Sequence, residues 1–379
     1  AQHFAASVDL LLDQCVDLRL TQNSDVFKPL LNLFELLIDH GESVPQWMNH
    51  AFSLFPIDIF TLLYVILKSQ LLEVVMSLSV FLELVEIKAK TASVFPFLLG
   101  TLFAWYHYHT LHIPELLVFF VAMLLFNMAV DANDNYQDYK RSERTAALRF
   151  REKTNIIGVH HLNPSMIGWM VVGMMVTSGV LGLWMVSRTG WPLLVMGLFS
   201  FAVGYGYAGG PRPISATPYG EFFSGFTMGF VIFLIAVYVN VFNVAAFSWP
   251  LIGSVYLASG LAQCTIAALL LANNIADQEE DETLKRRTIV HYLGRSRSII
   301  FFYGLYTIGF LMLIAAVVLG LLPKLTLLTL ITVPMVVKNA RGFAANPVKK
   351  LTFPNAIKNL FITTLAQVVF LALGVFLNI

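Results

Sequence analysis

NMAVDANDNYQDYKR, Asn127 to Arg141, leaves an apolar run and ends in cations. Read as the continuing end of an α-helix, at about 100° per residue, it puts Asn127, Asp131, Asp134 and Asp138 in one narrow stripe. Three carboxylates crowded on one face at a membrane boundary repel one another and cost several kcal/mol each if dry, so they persist only around a cation or water. A divalent metal with oxygen ligands is the simplest partner. Mg²⁺ suits so sparse a supply, because its remaining ligands are waters or phosphate oxygens. A second acidic stretch, NNIADQEEDETLKRR from Asn273 to Arg287, repeats the design after another apolar run. There Asp277 and Asp281 are spaced i, i+4, with Lys285 one turn further on the same side. Two acidic helix ends, each followed by cations, point to one shared Mg²⁺ and diphosphate site.

The composition makes the membrane unavoidable. Of 379 residues 57% are hydrophobic and 12% charged, with a mean hydropathy of +0.72, against the roughly 25% charged residues of an ordinary soluble domain. A formal net charge of +1 spread over loops forms no basic surface, which excludes nucleic acid as a partner. Cys15 and Cys264 lie in unrelated contexts, so neither a disulfide framework nor a metal knuckle is indicated.

Nine apolar segments follow one another from Val94, most of them long enough for a hydrocarbon core of about 30 Å. They run near 94–110, 114–132, 164–186, 191–207, 222–242, 249–272, 298–322, 325–337 and 360–377; the eighth is the shortest and contains Pro334. The expected fold is all-α: a polytopic membrane protein of nine transmembrane helices around a central cavity. Lysine and arginine crowd the loops before the first segment and after the second, fourth, sixth and eighth, whereas the opposite loops offer only Arg188 and Lys324. The positive-inside rule then turns both acidic stretches to the cytoplasm of a multi-pass protein in the cell's plasma membrane, with the C-terminus outside. Residues 1–75 carry helix-like periodicity but no functional signal, and Met76 opens the segment that leads into the spans. The chain therefore divides at 75 into an N-terminal region without an assigned role, fused, accessory or translated upstream of the true start, and a catalytic domain over 76–379.

The plainest account of either acidic stretch is a solvated helix end. Its cations, Lys140, Arg141, Lys285, Arg286 and Arg287, are then positive-inside anchors. Two such stretches on the same side, each joined to an apolar span, favour the metal site instead. Lys140 and Lys285 are the expected direct diphosphate contacts, since each lies on or near its acidic stripe. The glycine- and proline-rich loop Tyr205 to Gly229 breaks helix and brings Tyr207 and Glu221 to the mouth. A divalent-cation transporter is the competing class, but its path would need polar groups at mid-membrane, and here the acids lie at one face only.

These motifs resemble the intramembrane aromatic prenyltransferases of the UbiA superfamily, which have nine transmembrane helices and two Asp-rich motifs. The resemblance covers residues 81–379. NNIADQEEDETLKRRTIVHYLG is similar to the second motif of the branch that prenylates 1,4-dihydroxy-2-naphthoate in menaquinone synthesis, with Lys285 where a glycine is usual and Arg286 where a lysine is. LVEIKAKTASVFPFLLGTLFA and YAGGPRPISATPYGEF are also similar to that branch. In the first motif Asp134 takes a position usually held by asparagine, and a shifted register over Asn127 and Asp131 is open, so Asp134 and Asp138 carry over more safely than Asp131.

The resemblance implies Mg²⁺ held by Asp134, Asp138, Asp277 and Asp281, with Asp131 as a further ligand. It also implies a polyprenyl diphosphate donor, bound by Lys140, Arg141, Lys285, Arg286, Tyr207 and Asn274. An aromatic acceptor would capture the allylic cation, losing carbon dioxide to give demethylmenaquinone. Another acceptor, such as 4-hydroxybenzoate, is the alternative within the family. No organic cofactor is implied, and no oligomeric state follows.

Overall fold

The computed structural model describes residues 76–145, 152 and 154–377; the region 1–75 lies outside them. Among the described residues every regular element is helical. A short helix α1 (Leu78–Leu84) and a 3₁₀ turn (Ile87–Lys90) lead into α2 (Thr91–Tyr108). Then come α3 (Ile113–Thr145), α4 (Pro164–Thr189) and α5 (Trp191–Ala208). The span Gly220–Val241, α6, is followed by α7 (Trp249–Ala258), α8 (Gly260–Ala276), α9 (Ile289–Val318), α10 (Val333–Ala345) and α11 (Pro354–Leu377).

Among the described residues seven helices are long and apolar enough to cross a membrane, and the bent pair α7–α8, taken as one span, makes an eighth. Nine long apolar helices is therefore one too many, and the expected span 325–337 is the one that drops out. Lys324–Thr332 is a 3₁₀ helix, and α10 begins only at Val333, with Pro334 in its first turn. The segment still carries the chain across the molecule. His107 at the end of α2 lies 2.9 Å from the Leu321 carbonyl, whereas Lys349, beyond α10, reaches Asp277 at the acidic end.

Helix α6 is the hub. All ten residues of Ile232–Val241 are buried. Between apolar helices in lipid, close backbone approach replaces hydrophobic drive, and small residues permit it. At Gly100 of α2 an added Cβ would lie 2.5 Å from the Phe233 carbonyl oxygen, and at Gly229 of α6 it would lie 2.5 Å from Gln263 Cα in α8. The stretch Gly225–Val231 of α6 is wound as a π-helix against α8.

The bend of 56° between α7 and α8 falls at the Ser259-Gly260 pair. Gly260 gives way there to Met312, whose Cε would be 2.5 Å from a Cβ. The carbonyl of Tyr256 beside the break accepts from Gln263 Nε2 at 2.8 Å, so the break leaves no orphan there. Helix α3, at 33 residues, is about 50 Å long and projects beyond its apolar part, which is why the first acidic stripe is helical throughout.

Candidate active site

A cavity of about 1240 Å³ joins the acidic ends of α3 and α8 to an apolar interior. At its mouth stand Glu86, Asp131, Asp134, Asp138, Asp277 and Glu280, with Arg286 and Lys349 among them. Along α3 it extends from Asp138 through Val130, Phe126 and Met123 to Phe119, about 28 Å at 1.5 Å per residue. The deep walls are Met185 and Val186 of α4, Leu193 of α5, and Ile232 and Ile235 of α6. The helical-stripe reading of the first motif is thus realised geometrically: Asn127, Asp131, Asp134 and Asp138 all line one cavity.

The second motif is arranged differently from a single continuous helix. Asp277 ends α8, with φ −96° and ψ 9°, and a separate short helix runs from Gln278 to Thr283. That short helix closes with Lys285 in the left-handed region, φ +57°, and the Arg286 amide bonds back to the Asp281 carbonyl at 2.8 Å. This is the glycine-type helix stop, and it swings consecutive side chains in opposite directions. Lys285 is exposed and turned away from the cavity, while Arg286 enters it. Its guanidinium lies 3.1 Å from Asp138 Oδ2 and 3.3 Å from Asp281 Oδ1, and it donates to the Ser215 carbonyl at 3.3 Å. One residue therefore binds the first motif, the second motif and the loop after α5. The amide of Arg287 adds a bond to the Ala216 carbonyl at 3.2 Å, strapping that loop to the second motif.

The usual glycine at position 285 now has a physical reason. A side chain in the left-handed region costs about 1–2 kcal/mol that glycine does not incur, offset in part by the greater freedom glycine loses on folding. Lys285→Gly is expected to raise unfolding stability by about 0.5–1 kcal/mol, read as a higher melting temperature in detergent, and to leave turnover unchanged. A tenfold fall in turnover would instead restore Lys285 as a diphosphate contact.

Lys140 is likewise outside the cavity: it is exposed, its ammonium 4.4 Å from the Tyr136 ring centroid. Arg141 donates to Asp138 Oδ1 at 2.9 Å. Tyr207 lines the cavity. Asn274 does not; it is buried and donates to Glu221 Oε1 at 2.8 Å, which ties α8 to the start of α6. Glu221 itself is buried rather than at the mouth. Three residues were absent from the expected site: Lys349, at the mouth, which donates to Asn273 Oδ1 and Asp277 Oδ2, Glu86, also at the mouth, and Lys90, buried behind it, which donates to Asp131 Oδ2 and to the Asn127 backbone carbonyl. In the sequence both lysines read as positive-inside charges.

Burial, and then repulsion from Asp277 and Asp138, push the Asp281 carboxyl up to about 7 against the pull of Arg286. Its Oδ2 is buried without a hydrogen-bond partner. Burial also raises Glu280, beside Asp277. Arg286 is held above its ordinary value: burial opposes its charge, but Asp138, Asp134 and Asp281 outweigh it. Among the described residues Asp134 accepts no hydrogen bond and closes no salt bridge.

This excess of hard oxygen donors over cations fits a divalent metal. Among the described residues no three acid, histidine or cysteine side chains converge tightly enough to hold a metal by themselves. A cation seated here would take its other ligands from water or phosphate, as Mg²⁺ does. The deep half of the cavity, from Phe126 and Met123 to Leu193 and Ile235, is walled mainly by apolar side chains and carries no charged residue, which suits a hydrocarbon better than an ion.

Residues 93–376 match the UbiA prenyltransferase family. The chain belongs to this family. It is an integral membrane prenyltransferase. Among curated relatives, the 1,4-dihydroxy-2-naphthoate octaprenyltransferase of Bacillus subtilis (strain 168) is 29% identical over 263 residues, covering 68% of this chain and 79% of the relative. Among solved structures, the apo form of a UbiA homolog from Aeropyrum pernix K1 superposes with a TM-score of 0.58 at 15% identity, covering 74% of this chain and 97% of that one. A UbiA homolog from Archaeoglobus fulgidus bound to GPP and Mg²⁺ gives 0.54 at 12% identity, covering 78% and 99%. At such identities the two structures establish the fold alone.

Proposed function

We propose that the chain transfers a polyprenyl group from polyprenyl diphosphate to 1,4-dihydroxy-2-naphthoate, with loss of carbon dioxide and diphosphate, giving the hydroquinone form of demethylmenaquinone. The observation that carries the reading is the continuity of the cavity: a carboxylate- and arginine-lined mouth opens directly into a largely apolar chamber that runs about 16 Å further along α3, from Val130 to Phe119. A diphosphate bearing a long hydrocarbon tail is the ligand whose two ends match those two environments. The acceptor is drawn from the reaction for which the Bacillus subtilis relative is named and from the NNIADQEEDETLKRRT motif.

Asp134, Asp138, Asp277 and Asp281, with Asp131, are the carboxylates that hold the metal side of the complex. Arg286 and Lys349, at the mouth, would take the diphosphate oxygens. Bound Mg²⁺ supplies neutralisation of the negative charge that grows on the departing diphosphate. Tyr207 stands in the cavity wall near Asp134, where the polar mouth gives way to the tail chamber. Val130, beside Asp131 on α3, is the apolar side chain of that helix next to the mouth and helps keep water from the allylic carbon, whereas Phe126, Met123, Phe119 and Ile235 pack against the tail. By the positive-inside rule the mouth faces the cytoplasm, on the plasma membrane, where soluble diphosphate can be released.

Purified protein given Mg²⁺ and a long-chain polyprenyl diphosphate is expected to prenylate 1,4-dihydroxy-2-naphthoate with release of carbon dioxide and diphosphate, the product identified by mass. Turnover of 4-hydroxybenzoate but not of the naphthoate would replace the acceptor and keep the donor chemistry. Release of diphosphate with neither acceptor would remove both.

A further inference from the structure

The two motifs share a feature that neither contains. Each begins with an Asn-x-x-x-Asp unit, Asn127 to Asp131 and Asn273 to Asp277. Each unit is gripped by a lysine from elsewhere in the chain. Lys90 donates to the Asn127 carbonyl at 3.1 Å and to Asp131 Oδ2. Lys349 donates to Asn273 Oδ1 and to Asp277 Oδ2. In both the lysine takes the aspartate Oδ2 together with an oxygen of the asparagine four residues before it, the backbone carbonyl of Asn127 in one and the side-chain Oδ1 of Asn273 in the other, across sequence separations of 41 and 72 residues.

The two ammonium groups are not placed alike. The Lys90 side chain is 6% exposed, at the root of α2, whereas that of Lys349 is 46% exposed, in the loop between α10 and α11 and 5.3 Å from the Phe353 ring centroid. A buried ammonium cannot leave its carboxylate without another anion to receive it. A half-exposed one can move at little cost. Both stand beside carboxylates that a divalent cation would also claim, and an oxygen that accepts from an ammonium is less available to a metal.

We propose that Lys90 and Lys349 are competing counter-ions. They hold Asp131 and Asp277 against a divalent cation arriving alone, and turn to the diphosphate oxygens when metal and diphosphate arrive together. Metal and diphosphate then each bind tightly only in the other's company, a coupling that is reciprocal by linkage. This rests on the metal–diphosphate reading of the site. It adds to that reading a device by which the site rejects an incomplete substrate.

The test is equilibrium dialysis of the full chain in detergent, the protein micelle retained, with Mn²⁺ as the metal and inorganic pyrophosphate as the diphosphate. For the unaltered protein pyrophosphate is expected to tighten retained Mn²⁺ by about tenfold or more. In Lys349→Met, Mn²⁺ alone should bind about 3- to 10-fold tighter, and the tightening by pyrophosphate should shrink by a similar factor. Lys349→Arg should behave as the unaltered protein. Lys90→Met should shift both quantities the same way; if it fails to fold, Lys349→Met decides alone. Lys349→Met binding Mn²⁺ no tighter than the unaltered protein, or keeping the full effect of pyrophosphate, overturns the proposal. An unaltered protein that retains no Mn²⁺ even with pyrophosphate overturns the metal–diphosphate reading itself, so the two failures are distinguishable.

Discussion

Asp134→Asn is expected to lower turnover by about 10³-fold while leaving the melting temperature unchanged or higher. The carboxylate lines the cavity between Asp131 and Asp138 on the same face of α3, yet among the described residues no hydrogen bond or salt bridge occupies it. An amide of the same shape keeps the packing. Removing the charge relieves repulsion from two neighbouring carboxylates and gives up a longer-range attraction to Arg286 without breaking a hydrogen bond. The charge matters only when a metal and the departing diphosphate need it, and loss of one such electrostatic contribution in a water-poor site costs about 10²–10³ in rate. Initial rates of diphosphate release, read beside thermal unfolding, separate the two effects. A variant within tenfold of the unaltered rate would remove Asp134 from the machinery, and a large fall in melting temperature would show that it is a structural partner instead.

The same residue shows why part of this site was legible in the sequence. Helix α3 runs unbroken through the acidic stretch, so i, i+3 and i, i+4 spacing translates directly into a shared face, and the stripe Asn127, Asp131, Asp134, Asp138 lines the cavity as the periodicity implies. The seven long apolar helices among the described residues, and the bent pair α7–α8, were equally plain from run length. The second motif resisted because the same spacing rule was carried past the point where the helix stops. Nothing but a glycine announces a left-handed stop, and this chain has Lys285 there. The rule therefore put Lys285 on the acidic face, and Arg286, which turns inward, entered the expected site only through the family resemblance. The lysines at 90 and 349 could not be read at all: their meaning lies in contacts far along the chain, which periodicity does not encode. The span at 325–337 failed for a local reason, since a 3₁₀ stretch with three threonines buried is not distinguished from a short apolar helix by hydropathy.

Arg286→Ala is expected to be the most damaging single change, costing about 3–5 kcal/mol of stability and at least 10³-fold in turnover. The guanidinium is 13% exposed and stands against Asp138 of α3, Asp281 of the second motif and the Ser215 carbonyl of the loop after α5. Truncation leaves the buried Asp281, whose Oδ2 already lacks a partner, without its counter-charge, and removes a side chain that bridges both motifs. The cost arises from the carboxylates left behind more than from the value of the pair itself. Two controls separate charge from geometry. Arg286→Lys keeps the charge but cannot present a planar fork to three acceptors, so it should recover most of the stability and only part of the turnover. Combining Arg286→Ala with Asp281→Asn removes the stranded charge along with its partner, and should restore stability without restoring turnover. If Arg286→Ala unfolds at the unaltered temperature and still releases diphosphate at near-normal rates, the two motifs are not joined through this residue. The site would then have to be rebuilt around Lys349 as its principal cation.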